Sequence, residues 1–358
     1  MGALVGKYLD IELMRILAAF FVIYNHSGTT AFRLFTLYDA HTFSYWGCLF
    51  GAVFCKFSVP LFFMISGALL LDREEEPVRI WMRRLIHIFY ILLIWSFFYY
   101  LNVVVTGKET FVIKHFFSQF YAKDWNFSYW FLYAYLAFLL SLPLLRRFAQ
   151  SLTNREYRYL FSLYAVFVMI IPSVQYWLFH GKHGLNGNIS VSWLAANIVI
   201  FPLAGYVLRH RMKGFWSGKK ILCVWLLNIG TILISVYLSH LRGQITGEKM
   251  TEAFYNTFVL INAASVFVTC QYWQESALLQ KLAKPVISIG GCTFGIYLFH
   301  IFIMRRPEVV RLARALFQET VSVPPILYGF LYCALVFGIG CVVTWLFRKN
   351  PLLRRLVS

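Results

Sequence analysis

Residues Tyr8–Gly28 read YLDIELMRILAAFFVIYNHSG, and the fold follows from how this stretch is understood. At 1.5 Å per residue, about 20 residues of helix span roughly 30 Å, the thickness of a bilayer's hydrocarbon core. The stretch is apolar enough to do so, yet it holds Asp10, Glu12, Arg15 and His26. Ionisable groups inside a spanning helix are costly and point to function unless a partner satisfies them. Arg15 and His26 are eleven positions apart. At 100° per residue that leaves them about 20° apart in azimuth and roughly 16 Å apart in height. Glu12 lies one turn before Arg15 on nearly the same stripe. Such a stripe, on a helix otherwise built from Leu, Ala, Phe, Val and Ile, is expected to face protein or a water-filled cavity and not lipid. Spacing alone leaves two readings open. Either Glu12 and Arg15 are a self-satisfying pair at one membrane face, with Arg15 snorkelling and His26 at the other interface, or the stripe lines a functional cavity.

Across the 358 residues, 60% are hydrophobic, 19% aromatic and only 13% charged. A soluble domain is about one quarter charged, so this is the composition of an integral membrane protein. The first apolar stretch is too long and too interrupted by charge for a cleavable signal peptide, and is expected to be retained as a helix. Seven cysteines lie mostly in apolar runs without a CxxC spacing. They read as free thiols in helices and not as a disulfide framework or metal ligands. The net charge of +18 does not signal nucleic acid. The basic residues sit in short loops between apolar segments, where they set topology and meet anionic head groups or phosphates.

About ten spans are expected, near 8–28, 45–70, 85–104, 127–145, 159–179, 191–208, 221–239, 253–272, 286–304 and 326–347. With the N-terminus inside, the cytoplasmic segments hold 20 Lys and Arg and the opposite ones 11, which puts both termini in the cytoplasm. No loop is long enough for a second domain, so residues 1–358 are expected to form one all-α transmembrane bundle. Residues 108–124 alternate charge and aromatics and fit an amphipathic helix on the outer surface; 305–325 do so more weakly.

Several local signals stand out. Pro60 is expected to kink or break the second span. Ser66-Gly67 offers a hydroxyl and bare backbone, suited to close approach of a ligand or to helix packing through small residues. Arg79 and Arg83 are i,i+4 on one helix face beside Arg84, and this cluster suits a phosphorylated ligand or lipid head groups equally. Trp130 and Tyr133 open the fourth span, as an interfacial aromatic belt does. Tyr297 and His300 are i,i+3 in the ninth span. His300 is a second intramembrane histidine, either functional or a hydrogen-bonded core residue.

Taken together these segments resemble acyltransferase family 3, the bacterial ten-helix transmembrane acyltransferases. The resemblance covers nearly the whole chain. It is carried by Leu9-Asp10 and by Arg15 followed after ten residues by His26, which matches the family's R-x10-H motif. Phe62-Phe63-Met64-Ile65-Ser66-Gly67, the basic start of the third helix, Trp130-Phe131-Leu132 with Pro143, and Gly295-Ile296-Tyr297-Leu298 with His300 fall in the family's order. Two positions depart from it. His87 stands three residues after Arg84, where a second arginine is common, and Ser128 and Tyr129 precede Trp130, where a histidine is common.

The resemblance implies transfer of an acyl group, most often acetyl, from cytoplasmic acyl-coenzyme A to a hydroxyl. The acceptor would be a cell-envelope glycan or lipid-linked sugar, and the location the bacterial cytoplasmic membrane. In that chemistry His26 is the expected general base. Arg15 would stabilise the thioester oxygen or hold a coenzyme phosphate, and its depth below His26 favours the second. Arg79, Arg83 and Arg84 would hold the adenosine phosphates, Ser66 would line the channel, and Asp10 or Glu12 would orient Arg15. Trp130, Tyr133, Tyr297 and His300 would support the channel. No metal is expected. The rival class is a small-molecule transporter, similar to the membrane part of vancomycin-resistance serine racemases; an inverted repeat would favour it, and none is evident.

Overall fold

The computed structural model describes residues 8–189, 191–248, 252–319 and 323–357. Residues 1–7, and parts of the expected outer segments 240–252 and 305–325, lie outside the described residues. All regular elements among the described residues are helical. They are α1 (Leu9–His26), α2 (Phe43–Leu70), α3 (Pro77–Val105), α4 (Ile113–Ala122), α5 (Phe127–Ser151), α6 (Asn154–Phe179), α7 (Asn197–Tyr206), α8 (Gly218–Thr246), α9 (Val259–Trp273), α10 (Ala283–Gly290), α11 (Thr293–Met304), α12 (Pro307–Arg314) and α13 (Pro325–Lys349), with short turns between them.

Six of these, α2, α3, α5, α6, α8 and α13, are long and apolar enough to cross a membrane, and α10 with α11, bent by 58°, makes a seventh. The other three expected spans fall short for separate reasons. α1 has 18 residues but carries Asp10, Glu12 and Arg15. α9 has 15 residues, and α7 has 10 before it widens into a π-turn at Val207–Arg211.

Sequence chemistry sets the helix ends. Pro77 and Pro325 stand in first turns, where a missing N–H leaves no bond unmade. Thr42 caps α2, and Thr153 with Glu156 forms a capping box on α6. Pro60 does not break α2: the chain tightens through a 3₁₀ turn at Cys55–Phe57 and runs on to Leu70 as one span. The amphipathic stretch forms α4, which buries Phe116 and Phe120 at i,i+4.

α1 is the hub. It packs against α2, α9, α10, α11 and α13, and none of its residues is exposed. The polar stripe therefore faces the interior of the bundle, protein or cavity, along its whole length. α2 and α7 meet through glycine. A Cβ on Gly67 would run into the backbone of Pro202, and one on Gly205 into the Met64 carbonyl. Of the Ser66-Gly67 pair, the glycine serves packing.

Candidate active site

A cavity of about 590 Å³ opens between α1, α2, α3, α5, α10 and α11. Arg15, Ser66, Arg83, Arg84, His87, Tyr135 and Tyr297 line it among apolar side chains, and none of the lining residues is acidic. Its size and mixed lining are those of a small-molecule site. Arg15 donates to Glu12 Oε1 at 3.0 Å. Glu12 reaches that position because Gly290 leaves room: a Cβ there would strike its carboxylate. Ser66 returns its hydroxyl to the Phe62 carbonyl at 2.9 Å.

The rim beside Arg84 is built on Glu75, in the turn between α2 and α3. Glu75 accepts from Arg84 at 3.1 Å and from Arg146 at 3.0 Å. Arg146, nearly fully buried, also donates from Nε to the Leu70 carbonyl at 2.8 Å, while Gln150 donates to Leu71 at 2.9 Å. These bonds satisfy carbonyls orphaned at the end of α2. Burial pushes the Glu75 carboxyl up, but hydrogen bonds and charge from Arg146 and Arg84 outweigh it and hold it below the usual carboxylate range. Arg83 has no ion-pair partner among the described residues and is exposed where it lines the cavity.

A second, different site lies three helical turns along α1. His26 Nδ1 is 2.8 Å from His300 Nε2, and the rings are nearly parallel, 16° apart with centroids at 5.1 Å. His300 is fully buried, and its Nδ1 donates to the Tyr297 carbonyl at 2.6 Å. Phe127 meets the His26 ring edge-on at 5.0 Å. Neither histidine lines the cavity. Tyr297 is the link between the two. Its ring borders the cavity and lies 5.9 Å from that of His300, while its hydroxyl donates to the Ser128 carbonyl at 2.6 Å. Phe131 at 5.6 Å and Phe294 at 6.4 Å pack on Tyr297, and the three rings form an aromatic layer in the cavity wall.

The structure thus brings Arg15, Ser66, Arg83, Arg84 and Tyr297 to one cavity, and His26 and His300 to each other. Other residues singled out from the sequence lie elsewhere. Arg79 is exposed and outside the lining. Asp10 is fully buried but pairs with Arg209 of the π-turn, so Glu12 and not Asp10 holds Arg15. Trp130 faces outward at 39% exposure, while its neighbours Phe131 and Leu132 line the cavity. Tyr133 ties α5 to α4 by donating to the Phe120 carbonyl at 2.8 Å. Reading the sequence alone missed Glu75, Arg146 and Tyr135, and gave no role to Lys56. Lys56 pairs with Glu252 at 2.6 Å and lies over the Phe32 ring.

Comparison with known proteins supplies the class. A family model described as an acyltransferase domain matches residues 8–345, nearly the whole chain, and the chain belongs to that family. No curated protein and no solved structure matches it.

Proposed function

We propose, from that family membership, that this membrane protein moves an acyl group, acetyl as is commonest in the family, from acyl-coenzyme A to a hydroxyl of a cell-envelope glycan or lipid-linked sugar. One observation carries the reading: a cavity with three arginines and no carboxylate in its lining ends, through Tyr297, beside a pair of imidazoles. The arginine cavity suits the coenzyme's phosphates. Arg83 and Arg84 hold them, and Arg15, deeper in, holds the donor farther along its arm.

His26 takes the proton of the acceptor hydroxyl as its oxygen attacks the thioester carbonyl. The C–S bond then breaks, the ester forms, and the proton on His26 passes to the departing coenzyme thiolate. Reaching His26 requires displacement of the Tyr297 layer, so passage of the acyl end is coupled to movement of that ring. In the same proposal α1, α7 with its π-turn, and α9 complete ten spans. In this reading both termini lie on the cytoplasmic side of a bacterial cytoplasmic membrane, an orientation that the excess of Lys and Arg in the segments assigned to that side supports.

The test is transfer of label from acetyl-coenzyme A in proteoliposomes supplied with candidate envelope glycans. His26→Ala is expected to lose about 10²–10⁴-fold in rate. Full activity in that variant would remove the base. Uptake of labelled serine into sealed liposomes, with no acylated product, would instead favour transport.

A further inference from the structure

Resting on His26 as the base, we infer that His300 is a positioning residue that fixes the tautomer of His26 and leaves its Nε2 as the nitrogen that accepts the proton. A backbone carbonyl only accepts hydrogen bonds, so His300 Nδ1, 2.6 Å from the Tyr297 carbonyl, carries a hydrogen. A neutral imidazole carries one N–H, so His300 Nε2 holds a lone pair. That lone pair lies 2.8 Å from His26 Nδ1. Two lone pairs at this distance would repel, so His26 Nδ1 carries the hydrogen and donates it. In neutral His26 the remaining lone pair is then on Nε2.

Each link is held by the fold. Tyr297 lies one helical turn before His300 in α11, so the accepting carbonyl is part of the helix that carries the ring. His300 is fully buried, and the edge of Phe127 supports the His26 ring. The orienting partner is a neutral ring where a hydrolase triad uses a carboxylate. A neutral partner directs the base without burying a charge in a low-dielectric bundle. When His26 gains a proton at Nε2, its Nδ1–H still donates to His300, whose own bond to Tyr297 is unchanged. The relay therefore persists through the proton-transfer step.

The direct test is the nitrogen spectrum of ¹⁵N-histidine-labelled protein in nanodiscs at neutral pH, with the His26 signals identified by their loss in His26→Ala. The expected spectrum shows a protonated Nδ1 and a bare Nε2, the tautomer that a free histidine side chain disfavours. A protonated Nε2 on neutral His26 overturns the inference without recourse to any His300 variant. Activity gives a second reading. His300→Gln offers an amide oxygen in place of Nε2 and is expected to retain transfer within about tenfold of the native protein. His300→Met offers no such acceptor and is expected to lose about 10²-fold in kcat with the donor KM unchanged. Equal activity of the two variants would overturn the relay. The two proposals fail separately: an active His26→Ala removes the base itself, whereas an inactive His26→Ala beside a fully active His300→Met removes only the relay.

Discussion

The two ends of the polar stripe on α1 are built from opposite materials. At the Arg15 end, guanidinium groups meet a few carboxylates around an open cavity, and Arg83 has no ion-pair partner among the described residues. At the His26 end, two imidazoles meet each other, a backbone carbonyl and aromatic rings. The first end can attract and hold an anion; the second can direct a proton. The ring of Tyr297 borders the cavity and lies 5.9 Å from that of His300, so in the proposed reaction donor binding and proton transfer are distinct in space. Variants at the two ends should therefore alter different kinetic constants.

The largest effect is expected at the imidazole end. His26→Ala should lower kcat by about 10²–10⁴-fold while leaving donor affinity within about twofold, measured by labelled acetyl-coenzyme A binding alongside turnover. A parallel loss of donor affinity would merge the two ends into one site. At the arginine end, Arg83→Glu is expected to raise the donor KM at least about tenfold, the value of one charge-assisted hydrogen bond, with kcat preserved. A fall in kcat alone would place Arg83 in the chemical step.

Glu75 holds the rim of the arginine end and is expected to contribute about 1 kcal/mol, modest because it is partly exposed. Its carboxyl titrates below its ordinary value in the folded protein. The ionised form therefore stabilises the fold above the unfolded value of about 4.3, and the contribution is lost as pH falls through the lower folded value. Glu75→Gln should melt at a lower temperature than the native protein at pH 7, and the gap should close in acid. A gap that widened in acid would reverse the assigned sign. The smallest effect is expected at Arg79, exposed and outside the cavity. Arg79→Ala should leave the donor KM within about twofold, and a shift matching that of Arg83→Glu would extend the binding surface beyond the cavity.

The contrast between Arg79 and Arg83 also shows what the chain order conceals. An α-helix would put these two on one face, leaving Arg84 to the side. A π-turn occupies Trp81–Leu85, and Arg83 and Arg84 line the cavity together while Arg79, one turn earlier along the helix, lies outside it. No residue in WMRRL announces that turn. Arg146 and Arg147 read alike as basic residues at a span's end, yet Arg146 is buried on Glu75 and Leu70 while Arg147 is exposed. Only the packing of α5 on the end of α2 separates them. By contrast the role of α1 was legible, because three charged groups and a histidine in an apolar helix admit few placements away from protein. The pairing of His26 with His300 was not, because it joins residues 274 positions apart and no local periodicity reports such a contact.

A structure with acetyl-coenzyme A bound tests the central claim most directly. The account predicts phosphates at Arg83 and Arg84, the arm passing Arg15, and the Tyr297 ring displaced so that the thioester reaches His26 Nε2. A coenzyme seated outside the arginine cavity, or one whose thioester points away from His26, would contradict it.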